Sequence, residues 1–199
     1  MTTVLKQHAK VKTNTTKDSV CKIDVPVVRF ADLWKSYPKS SPYLDPKTGA
    51  PPPGYDNQCA IKVSWAIQGV GVQMVSFKQA AVSVDGKKLA IRAEELAAWL
   101  KKQPFCGLPK APVAVTGKDW TKKIAGRTGI LFFKNYWQRD GERDPSGDHI
   151  DLWNGSRLTS TGFLGSLETF ARFTMGIQSL PRLYSDLGGS SEILFWEIK

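Results

Sequence analysis

The chain has 199 residues, 41% of them hydrophobic and 23% charged, with a formal net charge of +10. This is ordinary globular composition, enough for one domain with a single good core, and no stretch is long and apolar enough to cross a bilayer, which excludes an integral membrane helix. The positive balance fits attraction to nucleic acid, to an anionic membrane face or to an acidic polymer such as cell wall, without choosing among them.

The first segment is Thr-rich and polar, and Lys6, Lys10, Lys12, Lys17 and Lys22 are opposed only by Asp18 and Asp24. It reads as a flexible basic tail over residues 1–28 that lacks the apolar core of a secretory signal, so any export is expected to use another route. The globular unit is then 29–199. Phe30, Leu33, Trp34 and Tyr37 recur at helical spacing and predict a short helix before Pro38. Pro38 to Gly54 holds six prolines and two glycines, which predicts a stiff surface loop. From Cys59, the residues Val63, Ala66, Ile67 and Val70 share one helical face until Gly69 and Gly71 stop it. A second amphipathic helix is predicted over Arg92 to Lys102, with Ala93, Leu96, Ala97 and Leu100 inward. Gly129 to Phe133, His149 to Trp153 and Ile193 to Ile198 read as strands, and Phe163 to Ala171 as a helix between the last two. Helices followed by strands predict an α+β domain, with the Cys59 helix packed on a small antiparallel sheet, as in papain-type hydrolases.

Three cysteines, Cys21, Cys59 and Cys106, build no disulfide framework and match no zinc spacing. One bridge between Cys21 and Cys106 is compatible with the count, and two unpaired structural thiols is the preferred reading. Cys59 is the thiol with chemical promise. Only a few per cent of an ordinary thiol is ionised at neutral pH, and a helix N-terminus and a nearby imidazolium both favour the thiolate. His149 is the imidazole available, because His8 lies in the tail. The Cys59 backbone N–H is placed to meet an oxyanion, with Gln58 or Tyr55 as a second donor. His149 needs an orienting partner. Asp151 lies two residues on, on the same side of the strand, yet the backbone interval of roughly 6 to 7 Å makes direct contact awkward. Thr159 or Ser160, beyond the Asn154-Gly155 turn, offers an alternative. Trp153, beside the base, is a candidate wall of the cleft.

Taken together, Phe30-Ala31-Asp32-Leu33-Trp34 with Tyr37-Pro38, Asn57-Gln58-Cys59-Ala60-Ile61, Ala93-Glu94-Glu95-Leu96-Ala97, Gly126-Arg127-Thr128-Gly129-Ile130 and Asp148-His149-Ile150-Asp151-Leu152-Trp153-Asn154-Gly155 resemble the fourth family of type VI secretion amidase effectors over about Arg29 to Lys199. The resemblance implies an NlpC-type, papain-like fold and a cysteine endopeptidase cutting between D-glutamate and meso-diaminopimelate in peptidoglycan stem peptides. It also implies passage through the type VI secretion machinery from the producer's cytoplasm into the periplasm of a rival, and a cognate immunity protein that plugs the cleft. Cys59 then matches the nucleophile and His149 the base, and no metal or cofactor is required. The family pattern has an aspartate on the strand after the histidine strand. The matching place here, near Ser160, is not acidic, which leaves the third position open between Asp151, Thr159 and Ser160. The tail before Arg29 has no counterpart in the pattern.

A bland reading stands beside this one, since a cysteine at a helix start is commonly a small core residue. In that case the chain is a non-enzymatic module whose basic, aromatic surface grips an acidic polymer. Nucleic acid is the weaker partner, because the charges outside the tail are scattered among acids rather than gathered on one element.

Overall fold

The computed structural model describes residues 15–17, 28–138, 141, 143–159 and 187–199. Most of the predicted tail, Cys21, Ser160 and the predicted helix over Phe163 to Ala171 lie outside the described residues.

Helix α1 spans Phe30–Ser36, and the proline loop follows without helix or strand up to α2, Cys59–Gly69. The two helices pack closely, since a Cβ on Gly69 would lie 2.9 Å from the Cβ of Ser36. A hairpin of β1, Ala81–Val84, and β2, Lys87–Ala90, comes next. It turns on Asp85 and Gly86, both with positive φ (48° and 72°), the backbone that a two-residue type I′ turn demands. This hairpin was not foreseen. Then come α3, Ala93–Leu100, the two-residue β3, Val113–Ala114, and the single turn α4, Trp120–Lys123. Long strands β4, Gly129–Trp137, and β5, Gly147–Trp153, follow, and β6, Glu192–Glu197, closes the domain. The four-stranded sheet has the order β3-β6-β4-β5 and its pairings are antiparallel.

Side-chain alternation splits the sheet into two buried faces. Ile130 and Phe132 of β4, Ile150 and Leu152 of β5, and Leu194 and Trp196 of β6 meet α1, α2 and α3. Leu131, Phe133, Trp153, Ile193 and Phe195 form a second cluster with Trp120 and Leu187. Two features of this frame position the site. Strand β5 is the sheet's edge, so its residues are open to α2, which packs against it. In β4 the register shifts between Phe133 and Trp137, and Asn135 adopts φ 51°. The Asn135 N–H donates to Asp148 Oδ1 at 3.0 Å, holding this bulge onto the start of β5.

The expectation of unpaired thiols outside the site fails at Cys106, which is disulfide-bonded, whereas Cys59 is free. Residue count alone could not distinguish these, because pairing depends on where the fold delivers each sulfur.

Candidate active site

Cys59 is the first residue of α2, preceded by Gln58 as the N-cap. Proline-rich sequence up to residue 53 keeps the chain non-helical, and the helix begins once that constraint ends. Cys59 is buried at the margin of the core, with 9% of its surface exposed, and the His149 side chain keeps 21%.

The imidazole is held from several sides. His149 Nε2 lies 3.5 Å from Asp151 Oδ2, so the contact that the strand interval made awkward does exist. Nε2 is the distal atom of the ring, and the imidazole itself spans part of that interval. Nδ1, the other nitrogen, is buried and has no hydrogen-bond partner among the described residues. The rings of Phe133 and Tyr136 stand 6.1 and 5.8 Å from the imidazole, and the β4 bulge is what aims Tyr136 there. Burial on its own pushes the His149 pKa down. The Asp151 carboxylate, then the adjoining Cys59 and Tyr136, outweigh it and hold the imidazole well above its ordinary value.

Asp151 is itself fixed. Its Oδ1 accepts from the Leu152 N–H at 2.8 Å and from the Thr159 hydroxyl. Thr159 reaches it because Asn154 Oδ1 caps the turn, accepting from the N–H groups of Ser156 and Arg157 at 3.1 and 2.9 Å. The returning chain bridges Trp153 to Leu158, and the Thr159 N–H donates to the Leu152 carbonyl at 3.1 Å. Thr159 therefore serves the aspartate, not the histidine as the sequence reading allowed. Burial raises the Asp151 pKa, opposed by His149, the Leu152 N–H and the Tyr37 phenol.

The predicted donors and walls are placed as follows. Both ends of the Gln58 amide are spent on the proline loop: Nε2 donates to the Tyr43 carbonyl at 2.6 Å, and Oε1 accepts the Tyr43 N–H at 3.0 Å. Gln58 is thus a buried clamp on that loop. Trp153 is 2% exposed, with Nε1 donating to the Ile124 carbonyl at 3.3 Å and its ring against Trp120. It belongs to the second core cluster, because strand alternation sends it beneath the Leu158 return. Tyr55 is half-buried, edge-on to Tyr43 at 4.9 Å. The Cys59 N–H donates to Asn57 Oδ1 at 3.3 Å.

Two groups that sequence reasoning passed over reach the site. Tyr37, at the end of α1, directs its phenol to Asp151 and Thr159. Burial and then the Asp151 charge push its pKa well above the ordinary phenol value. Lys62 is 8% exposed on α2, one turn beyond Cys59. The available clue was a lysine inside the otherwise apolar stripe Cys59, Val63, Ala66.

A thiol at a helix N-terminus, beside an imidazole whose far nitrogen faces a carboxylate, can exchange its proton with Nδ1 and attack a carbonyl carbon. Among the described residues no cluster of His, Cys, Asp and Glu could hold a metal ion.

Comparison with known proteins follows the same direction. Residues 55–196 match the family described as type VI secretion system amidase effector protein 4. The structure of the effector of the Tae4/Tai4 effector–immunity system from Salmonella typhimurium covers 86% of this chain and 98% of its own, at 18% identity and a TM-score of 0.55. The effector Tae4 from Enterobacter cloacae covers 73% of this chain and 74% of its own, at 22% identity and a TM-score of 0.47. No curated protein matches. The Salmonella similarity shows a shared fold, the papain-like arrangement of a helix carrying Cys59 on an antiparallel sheet.

Proposed function

From the premise that the chain belongs to the amidase effector protein 4 family of the type VI secretion system, we propose that Cys59, His149 and Asp151 carry its reaction. The protein is a peptidoglycan amidase of that secretion system. In the proposed mechanism, the Cys59 thiol gives its proton to His149 Nδ1, and the thiolate attacks the carbonyl of the γ-D-glutamyl–meso-diaminopimelate bond. The imidazolium protonates the leaving amine, and water then hydrolyses the acyl-enzyme with His149 as base. Asp151 holds the imidazole through Nε2 and favours its charged form. The observation that carries this reading is the 3.5 Å approach of Asp151 Oδ2 to His149 Nε2, which leaves Nδ1 for the thiol.

The site of action is the periplasm of the target cell, where stem peptides are accessible. A cognate immunity protein that covers the Cys59 cleft protects the producer, a reading supported by the effector–immunity pairing named for the Salmonella structure. The basic surface gathers the enzyme on carboxylate-rich wall, an attraction that fades as salt rises. The direct test is Cys59→Ala. This variant is expected to fold and to release no stem-peptide fragments from purified sacculi, and cleavage at the wild-type rate would overturn the assignment.

A further inference from the structure

Among the described residues the buried ionisable side chains of opposite charge are Lys62 and Asp151. They sit on α2 and β5, elements that pack directly against each other. Lys62 follows Cys59 by three residues, which on a helix of 3.6 residues per turn puts both on one stripe, together with Val63 and Ala66. An ammonium held in that stripe is costly to desolvate unless something negative answers it.

The reactive site supplies negative charge that acts on it, from Asp151 and then Cys59. A thiolate at Cys59, an imidazolium at His149 and a carboxylate at Asp151 sum to one negative charge, in a place largely withdrawn from water. A lone surplus charge there is unfavourable in the same way as a lone buried lysine. We propose that Lys62 is a positioning residue of the active site, whose ammonium balances the surplus negative charge of the Cys59, His149 and Asp151 group and so favours the thiolate before substrate arrives. This rests on the catalytic reading given above.

The surroundings agree. Burial pushes the Lys62 pKa below the usual lysine value, and the Asp151 carboxylate, followed by Cys59, pushes it back up. From α1 the ionisable group turned towards the site is Tyr37, which acts on Asp151 and Cys59. From α3, Glu95 is engaged by Arg92 Nη1 at 2.9 Å and by the Ala80 N–H at 3.2 Å. From β2, Lys88 Nζ donates to the Phe77 carbonyl at 2.5 Å.

The test compares wild type with Lys62→Met and Lys62→Arg in the full chain. It measures the rate at which iodoacetamide alkylates Cys59, followed by mass spectrometry of the Cys59 peptide over a range of pH. At mildly acidic pH, Lys62→Met is expected to react at least about tenfold more slowly, the effect of removing one nearby opposite charge, and Lys62→Arg to stay within about twofold of wild type. At alkaline pH, where the thiol ionises regardless, the three rates converge. Sacculus cleavage follows the same order. Equal rates across pH overturn the proposal, and so does a slowing by the same factor at every pH, which would mark altered packing or access. If Lys62→Met fails to fold, Lys62→Gln carries the same comparison. Loss of the Lys62 effect with Cys59 still essential sinks this inference alone, whereas cleavage by Cys59→Ala sinks the catalytic reading beneath it.

Discussion

Replacing Asp151 by asparagine separates the charge of this side chain from its shape. Oδ1 of Asp151 already accepts from the Leu152 N–H and the Thr159 hydroxyl. An asparagine that keeps both bonds has to turn its amide nitrogen towards His149 Nε2. A donor in that place suits only an imidazole with Nε2 unprotonated, so the ring proton moves to Nδ1, the nitrogen proposed to receive the thiol's proton. The base is then in the wrong tautomer. The lost attraction can be sized from the 3.5 Å contact: two unit charges at that distance attract by about 5 kcal/mol at an effective dielectric of about 20. That is equivalent to a rate loss of roughly 3,000-fold to 5,000-fold, inside the range of about 10² to 10⁴ expected for a disabled general base. Initial rates of fragment release from purified sacculi measure the loss. Stability should fall as well, because a neutral amide removes the opposite charge beside the His149 imidazole and the buried Lys62 ammonium, so the melting temperature should lie below that of wild type. A variant that keeps more than about a tenth of the wild-type rate would refute the reasoning and move the orienting role away from Asp151.

The raised His149 pKa has a sign that can be checked by melting. A base whose folded pKa exceeds its unfolded one adds stability that is fully present below the unfolded value and is lost as pH rises through the folded one. The stability gap between wild type and His149→Gln should therefore be largest below about pH 6.5, the ordinary imidazole value, and shrink on the alkaline side; a gap that widens with pH contradicts the site geometry. Tyr37→Phe removes one hydrogen bond to Asp151 while keeping the ring, so a fall of roughly tenfold in sacculus cleavage is expected, the worth of one hydrogen bond to a charged group. Unchanged kinetics would place that phenol outside the network. At Gly147 an added Cβ would run into the Trp137 indole, so Gly147→Ala should cost about 1 to 3 kcal/mol in denaturant unfolding, the usual cost of overpacking. A loss below about 0.5 kcal/mol would mean that the indole moves aside freely.

How much of this was legible in the chain depends on the range of the forces involved. Helices α1, α2 and α3 and strands β4, β5 and β6 are legible because local periodicity and proline or glycine punctuation define them. The β1–β2 hairpin carried its own mark, Val82 and Val84 before Asp85-Gly86 and Leu89 after it. Lys87 and Lys88 diluted the alternation in so short a strand. Gln58 and Trp153 show the limit from another side. The sequence places each next to a reactive residue, but the path of the proline loop hands the Gln58 amide to Tyr43, and the return of the chain at Leu158 covers Trp153.

The contact between His149 and Asp151 is the sharpest case, because spacing along the strand argued against it. Backbone distance sets only the starting points of two side chains, and their rotamers decide whether the tips meet. Here Leu152 and Thr159 both donate to Oδ1 of Asp151, which leaves Oδ2 as the oxygen turned to the imidazole. Thr159 is eight residues away in sequence, and it arrives only because Asn154 and Gly155 reverse the chain, the glycine at φ 96°. An aspartate two residues after a histidine is thus not by itself an orienter. Its carboxylate is turned to the imidazole where the returning chain supplies a hydroxyl that fixes its rotamer, a condition that belongs to the tertiary fold and not to the local motif.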